Sequence, residues 1–233
     1  MNNDILVSPE QIALEQKKFI TKVYSLMAGA LAITGLVSMY AINSQAVLQF
    51  VFGNRAIFYG LLIAELLMVG SLVAFVARLS ATVAMTIFIL YSALNGLTLS
   101  GIFLIYTASS VAITFFITAG LFAVMSAYGY FTGKDLTKFG NLLMMLLIGL
   151  VLATIVNIFM NSTAVYWITA YLGVFIFTGL IAYDTQKLKN MYVVANEDEE
   201  AGKKVAIVGA LSLYLDFINL FLMLLRFFGR RSN

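Results

Sequence analysis

The sequence predicts an all-α polytopic membrane protein with seven transmembrane helices. Of 233 residues, 62% are hydrophobic and 11% are charged, whereas soluble domains average about 25% charged residues. A soluble fold of this size could not hide so much apolar surface. The apolar residues fall into seven runs, at 21–42, 56–77, 81–105, 109–131, 140–160, 164–183 and 205–228, and each is long enough for a helix to cross a bilayer, which takes about 20 residues. None of the runs alternates polar and apolar residues as the strands of a membrane barrel do.

Residues 1–20 read as a polar N-terminal tail, 21–229 as a single transmembrane domain and 230–233 as a basic C-terminal tail. Pro9, the only proline, follows Ser8 and either opens a short surface helix through Leu14 or stands in a frayed terminus. Asp4, Glu10 and Glu15 disagree with the acid-poor composition of a mitochondrial presequence, and the first apolar run is too long for a signal-peptide core. No cleavable leader is expected.

Most connections are short, so successive helices should be antiparallel neighbours. The exception is 184–204, with Lys187, Lys189, the run Asn196-Glu197-Asp198-Glu199-Glu200, Lys203 and Lys204. It reads as a solvated loop; EF-hand spacing and its glycine are missing. In the third run Ser92, Gly96 and Ser100 recur every four residues, the small-residue pattern that lets membrane helices approach closely. Asn95 and Thr98 beside them, and Thr154 and Asn157 in the fifth run, are expected to make interhelical hydrogen bonds. Tyr40, Tyr59, Tyr106, Tyr128, Tyr166 and Trp167 lie near run ends and read as interfacial anchors. No internal repeat is visible, so an inverted-repeat transporter is not indicated.

Orientation follows from Lys and Arg. With the N-terminus cytoplasmic, ten basic residues fall inside (Lys17, Lys18, Lys22, Arg78, Lys134, Lys138, Lys187, Lys189, Lys203, Lys204) and four outside (Arg55, Arg226, Arg230, Arg231). The discordant Arg230-Arg231 end would return inside if the last segment were re-entrant. A full span is expected, because the run at 205–228 has no proline or central glycine to turn it.

The chain has no cysteine and no histidine, which removes disulfides, thiol catalysis and the usual ligands of zinc and iron. Any pH response near neutrality must come from carboxyl groups. The net charge of +3 is scattered over segment ends, unlike the basic face of a nucleic-acid-binding protein. Lipid is the first partner implied, and no cofactor is called for.

The last run carries an unusual stripe. Gly209, Ser212, Asp216, Asn219, Met223 and Arg226 are spaced by 3, 4, 3, 4 and 3 residues, which places them on one helix face. An ionised carboxylate near mid-membrane costs about 3 kcal/mol on insertion scales, so this face should meet protein or water. Glu65 lies in the middle of the second run, and Asp184 ends the sixth. Each acid is either the partner of a base or an ion or proton site. Arg226 is a candidate partner for Glu65, but ten residues along a helix, about 15 Å, separate it from Asp216. Asp184 and Asp216, if brought together, would share a proton and change charge in two steps. They would also offer a weak site of hard oxygen ligands to Ca²⁺.

Ala210-Leu211-Ser212-Leu213-Tyr214-Leu215-Asp216-Phe217-Ile218-Asn219-Leu220-Phe221, followed by Leu224-Leu225-Arg226-Phe227-Phe228-Gly229, resembles the C-terminal signature of the Bax inhibitor-1 family (transmembrane Bax inhibitor motif proteins). Ala182-Tyr183-Asp184-Thr185-Gln186-Lys187 is similar to that family's sixth-helix motif. The resemblance spans nearly the whole chain, and the short loops are like those of bacterial members. It implies seven helices with the last one central, and a pH-sensitive calcium leak in the bacterial inner membrane whose sensor pair is Asp184 and Asp216. It also implies a basic latch at Arg78, which here stands alone and not in a cluster, and a supporting acid at Glu65. Family members are also linked to cell-death suppression and to control of membrane proteases. The alternative is therefore a regulator that binds other membrane proteins without ion flux. An intramembrane aspartyl protease would share the Tyr183-Asp184 pair, but Leu213-Tyr214-Leu215 replaces its Gly-x-Gly before the second aspartate, and its Pro-Ala-Leu motif cannot exist. No enzyme activity is expected.

Overall fold

The computed structural model describes residues 9–197 and 199–232, with the backbone alone at 9 and 192–197. The described residues form the helices α1 (Pro9–Ile42), α2 (Gln45–Phe52), α3 (Arg55–Phe75), α4 (Ala81–Leu99), α5 (Ile102–Ile105), α6 (Ala108–Phe131), α7 (Thr137–Met160), α8 (Thr163–Glu197) and α9 (Glu199–Phe228). Seven of the segments are long and apolar enough to cross a membrane, as the composition requires. The protein is an integral, multi-pass, all-α membrane protein.

The tight connections end in side chains that accept the first free N–H groups of the next helix. Asn54 caps α3 through Ala56 N (2.9 Å), Ser80 caps α4 through Val83 N (3.3 Å) and Thr107 caps α6 through Ser110 N (3.4 Å). The cap of α7 comes from elsewhere in the chain. Leu136 N donates to Gln186 Oε1 of α8 (2.8 Å). Likewise Ala81 N, at the start of α4, donates to Glu200 Oε1 of α9 (2.6 Å).

Two boundaries differ from the sequence expectation. The N-terminal tail is shorter, because α1 runs unbroken from Pro9 and buries Phe19 and Ile20 in the core; residues 1–8 lie outside the described residues. The third span keeps its expected extent, Ala81–Ile105, with Ser100 and Gly101 in right-handed helical conformation between α4 and α5. The expected loop at 184–204 is instead helix on both sides of 198, with Glu199 and Glu200 in the first turn of α9. Carboxylates are favourable at that end of a helix, and Glu199 also pairs with Lys203 at 2.7 Å.

α9 is the most enclosed span, with 67% of its apolar window buried against 44% or less for the others. It packs mainly on α8, α1, α6 and α4, while α3 packs on α4 and α7 on α8. It also runs the full length of the bundle. At its start, Lys204 Nζ donates to Ala77 O beyond α3 (3.4 Å). Past its end, Thr107 N donates to Arg230 O (2.8 Å) and Ser232 N to Ile105 O (3.0 Å). The last residues are therefore tied to the opposite end of the bundle, which removes the re-entrant alternative and anchors the basic tail.

The small-residue face of α4 meets α1. Ser38 Oγ donates to Gly96 O (2.6 Å) and Thr34 Oγ1 to Ser92 O (2.9 Å). A methyl group on Gly96 would stand 2.7 Å from Thr34 O, closer than real contacts allow. Gly96→Ala is expected to lower the unfolding temperature in detergent, by the ~1–3 kcal/mol typical of overpacking. Gly149→Ala, whose methyl meets open space, should be neutral or stabilising by about 0.5–1 kcal/mol. Equal thermal shifts for the two variants would show that the α1–α4 contact is not tight.

Candidate functional site

The polar stripe of α9 faces a cavity of 690 Å³ between α7, α8 and α9. Ser212, Asp216, Asn219 and Met223 supply one wall, Tyr183, Asp184 and Lys187 of α8 another, and Leu147, Leu150 and Thr154 of α7 the third. Asp184 and Asp216 thus line one space, within electrostatic reach of each other. Ser212 Oγ donates to Asp184 Oδ2 (2.8 Å). Asp216 is 6% exposed, and its Oδ2 has no hydrogen-bond partner among the described residues. Buried polar atoms are ordinarily paired, so this oxygen is available to a proton, a water or a cation. Asn219 lines the same wall and returns its amide N–H to Leu215 O (2.8 Å).

A second cavity, of 350 Å³, lies on the other side of Asp184, between the end of α3 and the adjoining parts of α8 and α9. Asp184, Lys187 and Ser212 line both cavities and so form the partition between them. Lys187, one turn beyond Asp184, is the cation that this partition contains.

The residues after Asp184 divide their tasks by helix face. Thr185 is fully buried and hydrogen-bonds Tyr24 of α1 (3.2 Å) and Ser126 of α6 (3.4 Å). Gln186 caps α7 and also donates to Lys134 O (2.8 Å). The motif Asp184-Thr185-Gln186 therefore locks α8 against three helices while turning its carboxyl into the cavity. The roles of Thr185 and Gln186 were not legible, since neither is costly in an apolar run.

A separate polar chain crosses the opposite side of α9. The hydroxyl of Tyr214, a fully buried residue, lies 2.7 Å from Thr34 Oγ1 and 3.2 Å from Asn95 Oδ1, and its single proton serves these two acceptors. Asn95 Nδ2 donates to Glu65 Oε2 (3.3 Å), and Thr98 Oγ1 to Glu65 Oε1 (2.9 Å). Helices α1, α3, α4 and α9 meet in this chain. Asn95 and Thr98 thus bond across helices as expected. Thr154 and Asn157 do not; Thr154 bonds Leu150 O of its own helix (2.8 Å), and Asn157 Oδ1 accepts from Ser162 N in the turn to α8 (2.9 Å). Local backbone acceptors and donors compete with distant ones for such side chains.

The candidate Glu65–Arg226 pair does not form. Glu65 is held in mid-α3 by Asn95 and Thr98. Arg226, in the last turn of α9, stacks on the Tyr166 ring (4.7 Å to the centroid) and donates from Nη1 to Tyr166 O and Thr169 Oγ1 (3.4 Å each). The two side chains stand at different depths of the bundle. Arg78 is exposed in the turn after α3, and its side chain makes no ion pair among the described residues. It lies next to Val76 and Ala77 of the second cavity, but does not line either one.

Fold and site together define a seven-span helical membrane protein with two carboxyl groups lining one cavity and no cysteine or histidine chemistry. The chain matches the family "Inhibitor of apoptosis-promoting Bax1" over residues 16–233, and it belongs to the Bax inhibitor-1 family. The "Inner membrane protein YbhL" of Escherichia coli (strain K12) is 53% identical over 214 residues, covering 91% of this chain and 92% of the relative. A protein of Borreliella burgdorferi is 42% identical over 228 residues, covering 98% of each chain. One of Rickettsia prowazekii is 42% identical over 221 residues, covering 93% of this chain and 91% of its own.

Asn95 is the link on which the Glu65–Tyr214 chain depends. Asn95→Leu is expected to destabilise the protein by about 1–3 kcal/mol, the cost of leaving a buried polar partner unsatisfied. Thermal unfolding in detergent measures this, with Asn43→Leu at an exposed helix end as the control.

Proposed function

We propose that this protein is a pH-sensitive calcium leak, gated by a proton shared between Asp184 and Asp216, with no enzymatic step. The observation that carries this reading is that both carboxyl groups line one cavity while an oxygen of Asp216 stays without a partner. With one proton between them, the pair carries a single negative charge and attracts a divalent cation without closing on it. Ca²⁺ seeks six to eight oxygens. Two carboxyls, the Ser212 hydroxyl and the Asn219 carbonyl offer fewer, and water must supply the rest. Such a set suits weak, transient occupancy, which passage needs.

Full protonation removes the anionic ligands. Full deprotonation leaves two adjacent charges that a cation can latch. Lys187 borders the cavity already, and Arg78 reaches it only if the turn at 76–79 moves inward. Flux is therefore highest at intermediate pH and falls on both sides.

The excess of Lys and Arg at the end holding the start of α1 supports a cytoplasmic N-terminus. The name of the Escherichia coli relative supports a bacterial inner membrane as the location.

Calcium flux from liposomes across pH tests the reading. The native protein should show a bell-shaped profile. Asp216→Asn and Asp184→Asn should each lower the maximum by about tenfold, or ~1.4 kcal/mol, and flatten the profile. Unchanged flux and pH dependence in both variants would sink the proposal. For topology, alkaline phosphatase fused after Asn233 should be active, and the same enzyme fused after Lys138 inactive. The reverse pattern would invert the orientation.

A further inference from the structure

The bundle end opposite the acid site carries a third cavity, of 550 Å³, bordered by Arg226, Arg231, Tyr106, Tyr166, Trp167 and Asn161. Its electrostatics are one-sided. The chain has no acidic side chain after Asp216, and none in the connections 43–54, 106–107 and 161–162. Arg55, Arg226, Arg230 and Arg231 all lie at this end, and neither Arg226 nor Arg231 has a carboxylate partner among the described residues. Both arginines line the same cavity, together with Tyr106. Their positions are built into the fold. Arg226 is clamped on the Tyr166 ring and backbone. Arg231 is held by the antiparallel bridge between its backbone and that of Tyr106. Thr163, the first residue of α8, also lines the space and brings the partial positive charge of a long helix.

We propose that this cavity binds a phosphate-bearing anion between Arg226 and Arg231. Guanidinium forks match phosphate oxygens in pairs, the Asn161 amide adds a neutral donor, and the aromatic wall fits an organic group carried by the phosphate. The phosphate could belong to a soluble ester or to an anionic lipid headgroup at the membrane surface, and the experiment separates the two.

Trp167 is the only tryptophan in the chain and it lines the cavity, so its fluorescence reports on occupancy. The purified full-length protein in neutral detergent is titrated with inorganic phosphate and with glycerol 1-phosphate, at ionic strength held constant with chloride. A second arm uses phosphatidylcholine vesicles containing either brominated phosphatidylglycerol or brominated phosphatidylcholine. A saturable change with the soluble phosphates identifies a free ligand. Stronger quenching by brominated phosphatidylglycerol than by brominated phosphatidylcholine identifies a lipid. In either case Arg231→Gln should weaken the response by about tenfold, the usual effect of losing one charged hydrogen-bonding group. Arg231 is exposed, so this variant should fold even if Arg226→Gln does not. The proposal is overturned if neither arm shows a selective response, or if Arg231→Gln responds as the native protein does.

Discussion

A carboxyl group within a membrane helix must be enclosed by protein or water, and much of this structure follows from that constraint at Asp216. Lipid offers no hydrogen bonds, and a charge near mid-membrane is costly. The helix that carries Asp216 is accordingly the most enclosed of the seven spans. Its polar stripe opens onto a cavity between α7, α8 and α9. Ser212 and Asp184 complete the wall, and Lys187 supplies the nearest cation at the partition.

The rest of the bundle holds α9 in that rotation. Tyr214, two residues before Asp216, reaches across the opposite side to Thr34 and Asn95, and Asn95 passes the chain on to Glu65. Thr185 and Gln186 secure α8 against α1, α6 and the start of α7. Residues that flank the acid site in sequence thus hold the two helices whose carboxyls line one cavity. The small face of α4 lets α1 come close enough for these polar contacts to form. At one end Glu200 and Lys204 tie α9 to the α3–α4 turn, and at the other Arg226 and the residues after it tie α9 to α6 and α8.

The seven spans, the costly acids and the close face at Gly96 were legible because each is a property of a run or of a short spacing. The stripe on α9 was legible for the same reason, since 3- and 4-residue steps fix a helix face whatever lies opposite. Other features were not. Tyr214 carries no signal in an apolar run, because its ring suits lipid as well as protein. Glu65 and Arg226 look like natural partners from their charges, yet they sit at different depths. The charged stretch near 184–204 reads as loop by composition, whereas the start of a long helix accepts glutamates readily.

The sequence by itself determined how many times the chain crosses the membrane, which residues cannot face lipid and which face of the last helix they share. These follow from transfer free energies and helical periodicity, which act locally and add along the chain. Only the tertiary structure decided who meets whom: Asp184 beside Asp216, Tyr214 with Asn95, Gln186 on α7, and Arg226 on Tyr166. Those pairings depend on the rotation and depth of each helix. Both are set by packing between segments far apart in sequence, and no local pattern encodes them.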